Sequence, residues 1–285
     1  MNKKKETIFI TGHLGFVGKH TVKHLESLGH KVVGYDLIEG NDIRDYDKLL
    51  KMIEPDMKIL HLAAVSTFFD ADKDPIKVFT VNGLGTENVT RAAKEKGAER
   101  VVYSSTGSVY MPVVEDPPLT ENHRAMGNSH YACAKRVGEL YLLQADIPYV
   151  ILRYAHLYGQ GKEKEGAVGG FIDRMRRGAA PVLYGGKQSN DFCYIKDVVR
   201  ANELALFTPN INEIYNIGTG EETTTEDIFE IMRKISGYNK EFDHKEQRTV
   251  DANRFFYDMS KAQKLLGFKP QWDLNKGLND MWKLI

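Results

Sequence analysis

Tyr131 and Lys135 stand four residues apart in the run Tyr131-Ala132-Cys133-Ala134-Lys135. On a helix that spacing puts both side chains on one face, a turn apart. A phenol beside an ammonium has its ionised form favoured, so it can take a proton from a sugar or alcohol hydroxyl near neutral pH. Upstream, Gly12, Gly15 and Gly18 follow an apolar strand and open a helical pattern in Thr11–Gly18. The first glycine permits a tight turn. The second lets the backbone approach a pyrophosphate, whose charge is met by the helix N-terminus. The spacing is G-x-x-G-x-x-G rather than G-x-G-x-x-G. With Ser104-Ser105-Thr106 between the two pieces, the constellation suits hydride movement between a dinucleotide and an alcohol. Asp36 ends the next strand, 18 residues past Gly18. Its carboxylate can accept from both ribose hydroxyls of an adenosine and would repel a 2′-phosphate; no arginine follows directly, which favours NAD over NADP.

The elements that must position these groups are read from periodicity. Strands are expected at Thr7–Thr11, Lys31–Tyr35, Lys58–Leu62, Arg100–Ser104 and Tyr149–Arg153, alternating with helical patterns at Gly15–Leu28, Tyr46–Ile53, Asp74–Lys96 and Ser129–Gln144. Such alternation predicts an α/β fold with a Rossmann-type doubly wound parallel sheet. After Gly159 the pattern changes. Gln160–Gly170 reads as a glycine- and charge-rich loop, a candidate flap. It is followed by helix Phe171–Arg177, strand Val182–Tyr184, the stretch Asp191–Ile195, helix Val198–Phe207, strand Glu213–Ile217 and helix Thr224–Ser236, whose threonines can cap it. Lys240–Thr249 reads as strand or loop, and short helices Ser260–Leu266 and Leu274–Leu284 close the chain. The expected organisation is an NAD-binding domain over 1–165, rejoined by 190–218, and a smaller C-terminal α/β substrate lobe from 166–189 and 219–285.

Bulk composition narrows the class. The 285 residues, 42% hydrophobic, suffice for one large α/β domain and a small lobe. Basic and acidic residues balance at 39 each, which argues against a bulk electrostatic grip on nucleic acid or an anionic membrane. Two cysteines, Cys133 and Cys193, fit a reducing cytoplasm better than a disulfide framework. Lys3-Lys4-Lys5 is not followed by the apolar core of a signal peptide, and no stretch approaches a membrane span. Nine scattered histidines lack metal-ligand spacing, so no metal is expected.

Further motifs occur in order, and with them the chain resembles an extended short-chain dehydrogenase/reductase of the NAD-dependent epimerase/dehydratase family. Thr11–Gly18 is similar to the family's TGxxGxxG, Asp42-Ile43-Arg44-Asp45 to its adenine-contacting D-[IL]-R-D, and His61-Leu62-Ala63-Ala64 to its HLAA run. Asp74-Pro75, Asn82 and Gly85-Thr86 resemble its DP…N…GT helix. Ser104–Tyr110 resembles SSxxVYG, with Met111 in place of the last glycine. Tyr131 and Lys135 match YxxxK; Arg153-Tyr154 and Tyr158-Gly159 match RYxxxYG. Asp191-Phe192, Asp197-Val198-Val199 and Tyr215–Gly220 match later landmarks.

The resemblance implies roles. Tyr131 is the general acid/base, Lys135 holds the nicotinamide ribose and depresses the phenol, and Thr106 hydrogen-bonds the reacting hydroxyl. NAD contacts are implied for Gly12, Leu14, Gly15, Phe16, Val17, Gly18, Asp36, Asp42 and Ile43. They continue through Leu62, Ala63, Ala64, Asn82, Ser104, Tyr131, Lys135, Tyr154 and His156. Substrate contacts are implied for Ser105, Thr106, Tyr131, His156, Asn190, Arg248 and Phe255. The substrate class is a nucleoside-diphosphate sugar, and a homodimer through Asp74–Lys96 and Ser129–Gln144 is implied.

Gly107 and Ser108 stand where the 4,6-dehydratases carry an Asp-Glu pair, and the decarboxylating relatives have a glutamate in this region. Their absence favours C4 epimerisation through a 4-keto sugar over elimination. A reductase or oxidase of a related keto sugar is the alternative, with a non-catalytic dinucleotide-binding regulator behind it. Asn190-Asp191-Phe192 replaces Arg-Asp-Phe, so one diphosphate-binding arginine is missing, and His156 replaces an asparagine. Arg248 resembles the second phosphate-binding arginine; Lys187 or His156 can supply the lost charge, or the substrate carries one phosphate or none. Phe255, at the position beside the sugar's C2 substituent, suggests a plain hydroxyl there.

Overall fold

The computed structural model describes residues 5–66, 68–113, 116–246 and 253–284. Six parallel strands form one sheet in the order Glu213–Ile217, Tyr149–Tyr154, Arg100–Thr106, Lys58–His61, Thr7–Thr11, Lys31–Tyr35. The inner strands are buried almost end to end because helices cover both faces. Side chains alternate across the sheet. Ile8, Ile10, Leu60, Val102 and Leu152 enter one core, while Phe9, Ile59, Val101, Tyr103 and Ile151 enter the other.

Thr7–Thr11 lies between the second and third strands in sequence, so the winding reverses beside it. A crevice opens at the carboxyl ends of Thr7–Thr11 and Lys58–His61, the usual ligand position in such sheets. Helix Phe16–Ser27 leaves from one side of it, and the catalytic-motif helix His130–Gln144 packs beyond Arg100–Thr106.

The C-terminal part is built from helices Gly166–Arg176, Thr225–Ser236 and Leu274–Lys283. It adds short pairings: Val182–Tyr184 with Asp243–Lys245, Ser189–Asn190 with Thr223–Thr224, and His156–Tyr158 with Phe192–Tyr194. Phe171, Phe229, Met232 and Leu278 of these helices share a continuous core with the Ile8 face of the sheet. The fold is therefore α/β, a Rossmann-type parallel sheet with a smaller C-terminal α/β part.

Three expectations are corrected. The helix expected from Phe171 starts at Gly166, because Gly169 packs against the Lys162 carbonyl, where a Cβ would lie at 2.0 Å. Of the glycines that read as a loop, Gly169 is here a contact point of a helix. The helical segment expected over Asp74–Lys96 runs without a break, but the π-turn Phe79–Leu84 interrupts its α-helical spacing between Pro75–Val78, capped by the Asp74 carboxylate, and Gly85–Lys96. The helix expected at Val198 begins at Ile195. The threonine cap is present: Thr224 and Asp227 bond each other's backbone N–H groups in a capping box. Among the described residues, no helix is long and apolar enough to cross a membrane.

Candidate active site

The glycine loop closes on itself at the mouth of the crevice. Gly12 has φ of +72°, and its N–H donates to the Tyr35 carbonyl at 2.8 Å. A Cβ there would lie 2.6 Å from Ala63 N, so only glycine lets the loop sit on the Leu62–Ala64 segment. A Cβ on Gly18 would meet the Gly12 carbonyl at 2.2 Å. Gly15 differs: it is exposed and would meet only the Gly12 carbonyl, at 3.2 Å. It is the N-cap of Phe16–Ser27, and no side chain caps that helix. An uncapped helix N-terminus beneath an open glycine suits a pyrophosphate. Leu14, Phe16 and Val17 lie in the same turn, Phe16 and Val17 partly buried against the core.

Asp36 is buried at the crevice edge. Its carboxylate accepts from Leu14 N–H and Ile38 N–H, both at 3.0 Å, which ties the loop to the second strand. Two carboxylate oxygens retain further acceptor sites for ribose hydroxyls. These features fit a dinucleotide such as NAD. Asp42 is held by a bidentate contact from Arg44, and Ile43 packs on Gly85, where a Cβ would stand 2.6 Å from Ile43 Cδ1. Buried His61 bridges Thr11 Oγ1 at 2.6 Å and Thr86 Oγ1 at 3.0 Å. Burial, helped by the Lys135 charge, pulls it down to about 3, so it is a neutral strut under the crevice. Asn82 pins Val65 through both its N–H and its carbonyl, fixing the chain just past Ala64.

The proton-transfer groups converge beyond this cradle. Ser129 caps helix His130–Gln144 and places Tyr131 in its first turn. The Thr106 hydroxyl hydrogen-bonds the Tyr131 phenol; burial still pushes that phenol up to about 12. Thr106 also caps the turn Gly107–Tyr110 through Ser108 N–H. Lys135 Nζ donates to the Ser104 carbonyl at 2.7 Å and lies 4.8 Å from the Tyr103 ring centroid. Burial pulls the ammonium down to about 7, and the Glu139 carboxylate opposes that. The expectation that Lys135 depresses the phenol is not met by the protein alone, because desolvation governs the phenol.

Two other expected contacts are redirected. Ser105 points to the opposite side of its strand from Thr106, and its hydroxyl donates to Glu139 Oε1 at 2.5 Å. The Tyr154 hydroxyl donates to Asn202, which in turn reaches Thr21, so this side chain locks the sheet to two helices. Only its backbone remains for a cofactor contact.

On the substrate side, exposed His156 packs its ring against Phe192 and Phe255, with centroids at 5.7 and 6.0 Å. Asn190 sits in the strand facing Thr223–Thr224. Phe255 is buried and covers Gly107: a Cβ on Gly107 would lie 2.4 Å from Phe255 Cζ and 2.3 Å from Tyr257 Oη. Arg248 lies outside the described residues.

Sequence reasoning missed Glu139 and the partners of Arg153. Glu139 is fully buried and accepts from Arg153 Nε at 2.8 Å and its terminal nitrogen at 2.7 Å, from Arg136 at 2.6 Å and from Ser105. Arg153 also donates to Tyr110 Oη, which donates to Asn216. The i, i+4 and i, i+8 spacing of Glu139 from Lys135 and Tyr131 was the available signal. Among the described residues no cluster of three or more metal-ligating side chains occurs.

The chain is similar to several proteins over almost its whole length. It is 33% identical to the putative UDP-glucose 4-epimerase of Methanocaldococcus jannaschii, with 95% of each chain covered. Its fold superposes with a TM-score of 0.91 on the UDP-glucose 4-epimerase of Thermotoga maritima crystallised with UDP-glucose, at 29% identity and 97% coverage of both. The Thermus thermophilus UDP-glucose 4-epimerase complex with NAD gives a TM-score of 0.88 at 27% identity, covering 97% of this chain and 98% of the other. Residues 8–218, well over half of the chain and carrying the crevice and its proton-transfer groups, match the NAD dependent epimerase/dehydratase family, and the chain belongs to that family.

Proposed function

We propose that the protein epimerises a nucleoside-diphosphate sugar at C4 using tightly held NAD. The carrying observation is the convergence of Thr106, Tyr131 and Lys135 beside the glycine cradle, next to a Gly107 seat closed by Phe255 and Tyr257. That closed seat leaves no room at Gly107 for the first of the two acidic side chains that elimination would use. Bound NAD supplies a hydride acceptor and donor, so that the sugar passes through a 4-keto form. Tyr131 Oη takes the C4 hydroxyl proton and later returns it. Thr106 Oγ1 orients that hydroxyl. Lys135 Nζ, which donates to the Ser104 carbonyl, would hold a nicotinamide-ribose hydroxyl with its remaining protons. Burial disfavours the phenolate, and a positive charge brought beside the phenol would favour it. The relatives' UDP-glucose makes a UDP-hexose the first substrate to offer, and Phe255 over Gly107 favours one with a plain C2 hydroxyl.

The 1–165 segment with 190–218 is the cofactor-binding unit in this reading, supported by Glu213–Ile217 rejoining the sheet. Segments 166–189 and 219–285 form the substrate lobe. The exposed apolar residues Ile76, Phe79, Leu84 and Leu140 support a homodimer through the helices that carry them. The two unpaired cysteines support a reducing, cytoplasmic setting. The test is chromatography of UDP-, GDP-, dTDP- and CDP-sugars after incubation with purified protein. Interconversion without added cofactor is expected. Products formed only with added NAD or NADH would replace this reading with a reductase or oxidase.

A further inference from the structure

The helix His130–Gln144 carries a third ionisable group, two turns from Tyr131 and one from Lys135. Glu139 is fully enclosed and has no water-facing edge. Each of its hydrogen bonds comes from an element that holds part of the site. Ser105 lies between Ser104, whose carbonyl receives Lys135, and Thr106, which touches Tyr131. Arg153 lies on the neighbouring strand Tyr149–Tyr154 and binds through two nitrogens. Arg136, on the same helix, adds a partly exposed partner. A buried carboxylate is costly unless it is paired, and a neutral helix-to-strand contact would hold the same surfaces together. Paired with Arg153 and Arg136, the ionised group also stands one helical turn from Lys135.

The charged and titratable groups around Lys135 are few. Tyr131 and Glu139 share its helix, with Arg136 adjacent. Tyr103 lies under its Nζ on Arg100–Thr106, and His61, held neutral by burial, faces it from Lys58–His61. Arg153 pairs with Glu139 on the side away from solvent. Glu139 is thus the only carboxylate among the described residues facing the ammonium, one helical turn away.

We propose that Glu139 is a positioning residue for the proton-transfer site: its buried carboxylate keeps Lys135 charged and fixes the catalytic helix in register with Ser104–Thr106. The inference rests on the epimerase reading for its use in turnover, but the state of Lys135 can be measured without substrate. Protein labelled with ¹³C at lysine Cε is titrated by NMR, with Lys135 assigned from the Lys135→Arg spectrum. In Glu139→Gln the Lys135 midpoint is expected to fall by about one pH unit, because removing a negative charge disfavours the ammonium. Ser105→Ala keeps the charge and should leave the midpoint within about 0.3 unit. In turnover, the loss of kcat on raising pH should begin correspondingly earlier in Glu139→Gln, with little change in KM. If Glu139→Gln does not fold, Glu139→Gln/Arg153→Gln neutralises the pair in one step. Its midpoint should still fall, since Glu139 is the carboxylate that favours the Lys135 ammonium. An unmoved midpoint in a folded variant overturns the proposal. A wild type that turns over no sugar nucleotide counts against the epimerase reading alone.

Discussion

At the scale of single residues, two hydroxyl-bearing positions and one glycine decide the chemistry. Tyr131→Phe removes only the phenolic oxygen and leaves the ring that packs against Ala71, Val78 and Ala134. Turnover should fall by about 10³-fold, within the usual range for loss of a general acid/base, while calorimetry finds NAD binding intact. Gly107→Asp tests the closed seat. Its Cβ would fall within 2.4 Å of Phe255 and Tyr257, two buried side chains with nowhere to go. Destabilisation of about 1–3 kcal/mol is expected, read from the denaturant midpoint, without any gain of water elimination. The tyrosine, lysine and threonine were legible because their spacing and motif context are local. The destination of Ser105 was not: strand alternation sends it to the far face, and its partner Glu139 lies 34 residues away. Nor was the Glu139–Arg153 pair, which exists only after the helix docks on the sheet.

Elements place these residues by close backbone contact more than by side-chain reach. The turn from Thr11 into helix Phe16–Ser27 is closed by Gly18 against the Gly12 carbonyl, with 2.2 Å left for a Cβ. Gly18→Ala must therefore open the turn and tilt the helix N-terminus away from the Leu62–Ala64 segment. NAD affinity should drop by more than about tenfold in calorimetry, since the anion seat depends on that geometry, while the protein remains folded. The six sheet strands were readable to within about two residues, because strands buried on both faces are short apolar runs between turn signals. The start of Gly166–Arg176 was not readable. Gly166, Gly169 and Gly170 look like a loop until the Lys162 carbonyl is seen against Gly169. The π-turn Phe79–Leu84 was equally hidden, since helical periodicity hardly changes when one residue is added to a turn.

At the scale of the whole molecule, the charge is balanced but apolar exposure is not evenly spread. Ile76 is 77% exposed, and Phe79, Leu84 and Leu140 are each near 45%, all on helices that flank the catalytic helix or form it. Isolated exposed leucines need no explanation; four apolar residues on adjoining helices are what supports the proposed dimer. A second copy of the chain covers it in the proposed dimer, and a two-fold contact would bring the same residues of both subunits together. Leu140 follows the buried Glu139, so the helix that seats Lys135 would be clamped from its outer side as well as its inner one. Leu140→Asp places a charge on that surface at a half-exposed position. Sedimentation should show a wild-type dimer and a variant whose dissociation constant is raised at least about a hundredfold. If the dimer steadies the catalytic helix, the variant's kcat falls as it dissociates and recovers at high protein concentration. A wild type that sediments as a monomer at micromolar concentration would remove this surface from the account of catalysis, leaving Glu139 as the support of that helix.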